Sequence, residues 1–279
     1  MRGGPGRTRR ILTTTTANGV LSFSNMDLHN ASTLYIQRAW EIDLIRRSME
    51  FLAKEGLHRP GKDLMIDAGA NIGMICIALL KHGYFREAIA LEPGPENFAL
   101  LTRNIAQNGM NGRIRAMECA ISDAPGQLEM ELSGENFGDH RVRSLALGPA
   151  LMGEVDRGTI AVPARTLDDV VADLSEEDRG RIGLLWMDVQ GHDGQVLRGA
   201  RETIARGVPV VNELWPYGIA RSGLTRDAYL ELLRTRFVRV ATADLASGDF
   251  VDRNPGELAA LYDANSRPEQ ALAMIGLPR

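Results

Sequence analysis

Leu64-Met-Ile-Asp67-Ala-Gly69-Ala-Asn71-Ile-Gly73-Met-Ile-Cys76-Ile-Ala-Leu-Leu80 reads as a short apolar strand, a glycine-punctuated turn and a helix. Asp67 closes the strand. Gly69 and Gly73 let the backbone turn sharply and come close to a ligand, and apolar residues resume at helical spacing from Ile72. A ligand is expected at the N-terminus of that helix.

Outward from this stretch the chain alternates strand and helix patterns, the signature of a parallel sheet covered on both faces. Strands are expected at 64–67, 87–92, 114–120, 182–188 and 208–213. Helices are expected at 72–81, 96–108, 166–174, up to about 206, and 225–236, with a further strand at 237–242 and an apolar tail at 271–277. Residues 123–158 read as a looser excursion. Ahead of the sheet, apolar positions at 39–57 recur at helical spacing, and Asn18-Gly19 is the pair expected of a tight hairpin turn. The division that follows is an N-terminal arm and cap helix at 1–60 and an α/β domain at 61–279.

Composition narrows the function classes. The chain has 279 residues, 44% hydrophobic and 24% charged, and a net charge of −4. An acidic balance argues against a protein built to grip a phosphate backbone, so no nucleic-acid partner is expected. No window reaches the roughly 18 uninterrupted apolar residues of a spanning helix, and the basic start, Met1-Arg2-Gly-Gly-Pro-Gly-Arg7-Thr-Arg9-Arg10, runs into threonines instead of an apolar signal core. It reads as a solvated tail, and a cytoplasmic protein with no membrane contact is expected. Two cysteines, Cys76 and Cys119, lie in apolar segments and read as buried small hydrophobes.

Open parallel sheets bind ligands beyond the carboxyl ends of their strands, and four expected strand ends carry acids: Asp67, Glu92, Asp188 and Glu213. Glu92, 19 positions after Gly73, is placed to accept hydrogen bonds from the two hydroxyls of a ribose. Dinucleotide loops lay a pyrophosphate against backbone N–H groups and the helix dipole, which disfavours a nearby carboxylate. Asp67 therefore suits a cofactor that is cationic and lacks phosphate. S-adenosyl-L-methionine meets both conditions, and a nicotinamide oxidoreductase is disfavoured. Ser122 and Asp123, after the third strand, are positioned to meet the adenine.

Ile66-Asp-Ala-Gly-Ala-Asn-Ile-Gly73, the paired acids of Thr166-Leu-Asp-Asp169, Trp186-Met-Asp188-Val-Gln-Gly191-His-Asp-Gly194 with Val196-Leu-Arg-Gly-Ala200, and Val211-Asn-Glu213 together resemble the FkbM-type methyltransferases, over roughly residues 40–215. The resemblance implies a Rossmann-like class I methyltransferase fold, a seven-stranded, mostly parallel sheet with an antiparallel last strand. It implies S-adenosylmethionine-dependent O-methylation of a small-molecule hydroxyl on a sugar, polyketide or other secondary metabolite, with Asn71 in the cofactor loop. Trp40-Glu41 resembles an aromatic-Glu pair ahead of the first strand in that family, which would bring Glu41 to the cofactor's amino-acid end. The family's Asp-Val-Glu-Gly-Ala-Glu is here Asp188-Val-Gln190-Gly-His192-Asp193, so a histidine replaces a small residue.

Methyl transfer to a poorly acidic hydroxyl needs positioning and a base. His192 is the first expectation for that base; His140, in the excursion, is the second, as a residue lining the acceptor pocket. Asp188 and Glu213 could hold Mg²⁺, but plain hydrogen-bond acceptance is the preferred reading. The Asn-Pro-Pro-aromatic signature of nitrogen methylation is missing after strand 182–188, which favours oxygen. Acceptor choice is assigned to residues 134–158, 192 and 213–222. The alternative is a catalytically silent S-adenosylmethionine-binding module with a regulatory or structural role, and a homodimer is left open.

Overall fold

The structure, a computed structural model, describes residues 8–143 and 149–278. The basic tail at 1–7 and part of the acceptor-side segment, 144–148, lie outside the described residues.

An antiparallel hairpin of β1 (Ile11–Thr15) and β2 (Val20–Ser24) opens the chain. Its loop has four residues, not the two of a tight Asn-Gly turn, because Asn18 has another task. Fully buried, its amide donates to the carbonyls of Trp40 (2.9 Å) and Met74 (3.0 Å) and its oxygen accepts from the Trp40 N–H (2.8 Å). The hairpin is thereby tied to the helices Ile42–Lys54 and Met74–Lys81.

The chain then lays down β3 (Leu64–Ala68), β4 (Glu87–Leu91) and β5 (Ile114–Met117), followed by β6 (Ala120–Ile121), β7 (Gly126–Glu131), β8 (Arg141–Val142) and β9 (Thr159–Arg165). It continues with β10 (Ile182–Met187), β11 (Val210–Leu214), β12 (Phe237–Ala243), β13 (Phe250–Arg253) and β14 (Leu272–Pro278). The main sheet has the order β13-β12-β14-β11-β10-β3-β4-β5. Neighbours from β11 to β5 pair in parallel, whereas β14 is antiparallel to both β11 and β12. The last strand is thus antiparallel, and β13, antiparallel to β12, adds an eighth at the edge.

Two corrections concern residues 114–165. The strand expected at 114–120 ends at Met117, and β6 leaves to join a second sheet, of order β6-β9-β7-β8. The excursion is that sheet, with its own small core of Ala120, Met130, Val162 and Ala164.

Side chains alternate across the main sheet, so each strand feeds two cores. Leu64, Ile66 and Ala68 join one; Met65 joins the other, with Leu21, Phe23, Met49 and Leu52 of the N-terminal segment. Asp67 shares the Met65 face and points at the helix Met74–Lys81. Expected as starting at 72, that helix begins at Met74 because Gly73, at φ +91°, caps it. Among the described residues no helix is long and apolar enough to cross a membrane.

The second sheet is fastened over the main one by a buried ionic cluster. Arg141 pairs with Asp139 and, at 2.9 Å, with Glu154; Arg157 reaches Asp139 at 2.5 Å; and the Tyr217 hydroxyl donates to Glu154 at 2.5 Å. The Arg141 guanidinium also stacks 4.7 Å from the Trp215 ring centroid. Removing Arg141 would leave the buried Glu154 with the more distant Arg221, at 3.8 Å, and Asp139 with Arg157, a change that costs about 1.5–3 kcal/mol. Arg141→Ala is therefore expected to lower the urea midpoint and to raise amide exchange across 126–143 and 149–165. A loss below about 1 kcal/mol would contradict this role.

Candidate functional site

The ends of β3 and β10 meet at one point. The Asp188 N–H donates to the Ala68 carbonyl at 2.9 Å, and a Cβ on Gly69 would lie 1.8 Å from the Asp188 carbonyl oxygen. Gly69 sits at φ +84°, so both the conformation and the space call for glycine. The loop behind it is held by the N–H groups of Gly69 and Ala70 on the Leu91 carbonyl, at 2.9 and 3.0 Å. Buried Asn104, which bonds the Ile72 carbonyl at 2.8 Å, fixes its other side.

Glu92 fastens the same loop from β4. Its two carboxylate oxygens accept one N–H each, from Asn71 and Gly94, both at 2.8 Å. Burial pushes this carboxyl up to about 7, against the opposing pull of those N–H groups. Asp67 accepts the Cys76 N–H at 3.1 Å, inside the first turn of the helix Met74–Lys81. Burial raises it to about 7 as well.

A cavity of about 200 Å³ opens beside this loop, lined by Trp40, Glu41, Asp67, Asn71, Asp188 and Glu213 among others. Burial raises Glu213 well above the carboxylate range, and the charges of Asp188, Glu41 and Asp193 add to it. Burial likewise raises Glu41 and Asp188, although both remain open to water through the cavity, which tempers the effect. Among the described residues none of Glu41, Asp188 and Glu213 has a Lys, Arg or His within salt-bridge distance; Asp188 accepts instead from the Gln190 amide at 2.6 Å. Three non-glycine residues on this rim, Glu41, Asn71 and Gln190, have φ near +50°, a strain of about 1–3 kcal/mol each that concentrates at ligand clamps.

Asp188, Gly69 and Asn71 also border a second, narrower hollow, with Glu92, Ile121, Phe137, His140 and His192. The Nδ1 of His140 accepts the Ser133 N–H at 3.0 Å, which leaves its proton on Nε2. Burial, with the Arg157 charge, lowers this ring to about 4, so it is neutral. His192, 5% exposed, meets the Ser122 hydroxyl through Nε2 at 2.9 Å, and burial lowers it to about 4.

The structure thus gathers Asp67, Gly69, Asn71, Glu92, Asp188, Glu213 and Glu41 around one cleft. His140 and His192 stand on the side away from Glu213. Ser122 lies buried behind His192, and Asp123 is exposed, accepting from the Ser122 hydroxyl at 3.2 Å. Gly73 shapes the loop from behind, where a Cβ would meet Ile77 and Leu101 at 2.9 Å. Among the described residues no three His, Cys, Asp or Glu side chains form a metal-holding group, and the Asp188–Glu213 pair is not part of one. Sequence reasoning missed Gln190, Asn97 and Gly138. Only Gln190 carried a signal, the departure from the family's glutamate.

A model of the methyltransferase FkbM domain matches residues 67–235. The chain is 29% identical over 203 residues to Methyltransferase sdnD of Sordaria araneosa, covering 63% of this chain and 77% of that protein. It is 26% identical over 225 residues to 2-O-methyltransferase NoeI of Sinorhizobium fredii, covering 71% and 88%. With 31-O-demethyl-FK506 methyltransferase FkbM of Streptomyces tacrolimicus it shares 32% identity over 163 residues, covering 52% and 61%.

Asp67, Glu92 and Asp193 are each at most 5% exposed and each pushed up to about 7, first by burial. Folded, these acids bind protons more tightly than in the unfolded chain, so stability is gained as pH falls from about 7 toward the ordinary range and lost as pH rises. Urea unfolding is expected to give a free energy higher by at least about 2 kcal/mol at pH 5.5 than at pH 7.5. A free energy that is flat or rises over that window would contradict the burial argument.

Proposed function

Proceeding from the chain's membership of the FkbM methyltransferase family, which makes it a methyltransferase, we propose that it takes S-adenosylmethionine as donor and methylates a hydroxyl of a small molecule. The observation that carries the donor is the cavity of Glu41, Asp188 and Glu213, three acids without a basic partner among the described residues. Uncompensated carboxylates in a partly enclosed cavity favour a cation over a phosphate. S-adenosylmethionine, when bound, supplies a methyl group on a sulfonium.

This chain's residues supply the rest. Glu92 offers lone pairs to ribose hydroxyls, and Asp67, Asn71 and Glu41 line the space left for the amino-acid end. Glu213 is the base of this reading: a carboxylate whose proton affinity is raised by burial and by its acidic neighbours accepts a hydroxyl proton more readily than an ordinary one. His140 is a poorer base, because its free ring nitrogen already carries the proton. Oxygen as the acceptor atom is supported by the names of two relatives, a 2-O-methyltransferase and a 31-O-demethyl-FK506 methyltransferase. A sugar, polyketide or similar secondary metabolite fits that acceptor class.

Incubation with methyl-labelled S-adenosylmethionine and a panel of glycosides and hydroxylated polyketides is expected to give an O-methyl product. Glu213→Gln should lower turnover at saturating donor by about 10²–10⁴-fold, beyond any weakening of donor binding that the loss of one cavity charge brings. Methylation at nitrogen, or full turnover by Glu213→Gln, would overturn the reading. In calorimetry, Glu92→Ala should weaken the donor by about 10- to 100-fold, the scale of a charge-assisted hydrogen-bond pair. Unchanged affinity would contradict the placement of the ribose.

A further inference from the structure

Three residues that line the narrower hollow carry buried acceptor atoms with no hydrogen-bond partner among the described residues: Asn71 Oδ1, Asn97 Oδ1 and His192 Nδ1. Orphaned acceptors cost stability unless a ligand supplies donors. Around them the walls are apolar, with Ile121, Met130 and Val142, and the tilted ring pair Phe137–His140, 5.4 Å between centroids, lines one side. A flat ring with an exocyclic donor matches such a space.

The protonation of His192 follows from its neighbours. The single hydroxyl proton of Ser122 goes to Asp123 Oδ1, so the Ser122 oxygen accepts from His192 Nε2–H. A neutral ring protonated on Nε2 has its lone pair on Nδ1. We propose that His192 is an adenine-reading residue, its Nδ1 accepting an N–H of the 6-amino group, and that Ser122 is a positioning residue that fixes the tautomer. This rests on the S-adenosylmethionine reading above and gives His192 a role in donor specificity in place of proton abstraction.

Two ligands separate the possibilities: S-adenosylhomocysteine, and S-inosylhomocysteine, in which a 6-oxo acceptor replaces the amine. A site built around one donor rejects the analogue that lacks it. By calorimetry on the full chain, the wild type is expected to bind S-adenosylhomocysteine at least about 10-fold more tightly than the inosine analogue. His192→Ala should lose that preference, to a ratio within about 2-fold, mainly by binding S-adenosylhomocysteine more weakly. Ser122→Ala should lower the ratio by a different route: the freed imidazole can shift its proton to Nδ1 and donate to the 6-oxo group, so the inosine analogue gains.

Equal binding of both ligands by the wild type would overturn the assignment, as would an undiminished ratio in His192→Ala. If His192→Ala does not fold, the wild-type ratio and Ser122→Ala still decide. Failure of S-adenosylhomocysteine to bind the wild type at all would sink the donor reading, and with it this one; tight binding without discrimination would sink the His192 role alone.

Discussion

The site depends on one close approach. The carbonyl of Asp188 passes through space that any side chain at position 69 would fill, 1.8 Å from where a Cβ would stand. Because Gly69 yields that space, the ends of β3 and β10 lock together, and the Asp188 side chain is delivered to the border of both hollows. Glu92 braces the loop from the other side through the Asn71 and Gly94 N–H groups. Two strands, a glycine and a carboxylate thereby define the cleft before any ligand contributes.

The two ends of the cleft have opposite chemistry. On one side, burial raises the proton affinity of Glu41, Asp188 and Glu213, and the charge of Asp188 adds to it at Glu41 and Glu213. On the other, two histidines are held neutral by burial and present fixed donor and acceptor patterns. A cation is favoured at the first and an uncharged, hydrogen-bonding ring at the second. That polarity along one cleft is the physical content of the methyl-donor reading.

Much of this was legible in the sequence. The loop from Asp67 to Gly73, with Glu92 following at the next strand end, pointed to the cleft at the strand ends, because glycine spacing and strand-end acids are local signals. Long-range pairing was not. Nothing in the apolar run 271–277 states that β14 inserts between β11 and β12, a pairing of strands distant in the chain. The second sheet did leave a trace, since Leu128 and Met130 alternate along β7 as Ile160 and Val162 do along β9. Pro163, of a residue type that reads as a strand breaker, nevertheless lies within β9, opposite Gln127 of β7. His192 read as a base from its position after a strand end, whereas its bond to Ser122, 70 residues earlier, exists only in the folded chain.

The central claim, that uncompensated carboxylates hold a cationic methyl donor, is tested most directly by the affinity ratio of S-adenosylmethionine to S-adenosylhomocysteine as a function of pH. The two ligands share adenosine and amino-acid parts and differ in the sulfonium charge. The account predicts a preference for S-adenosylmethionine that grows between pH 5.5 and 8.5 as the raised carboxyls ionise. A ratio independent of pH across that range would contradict it.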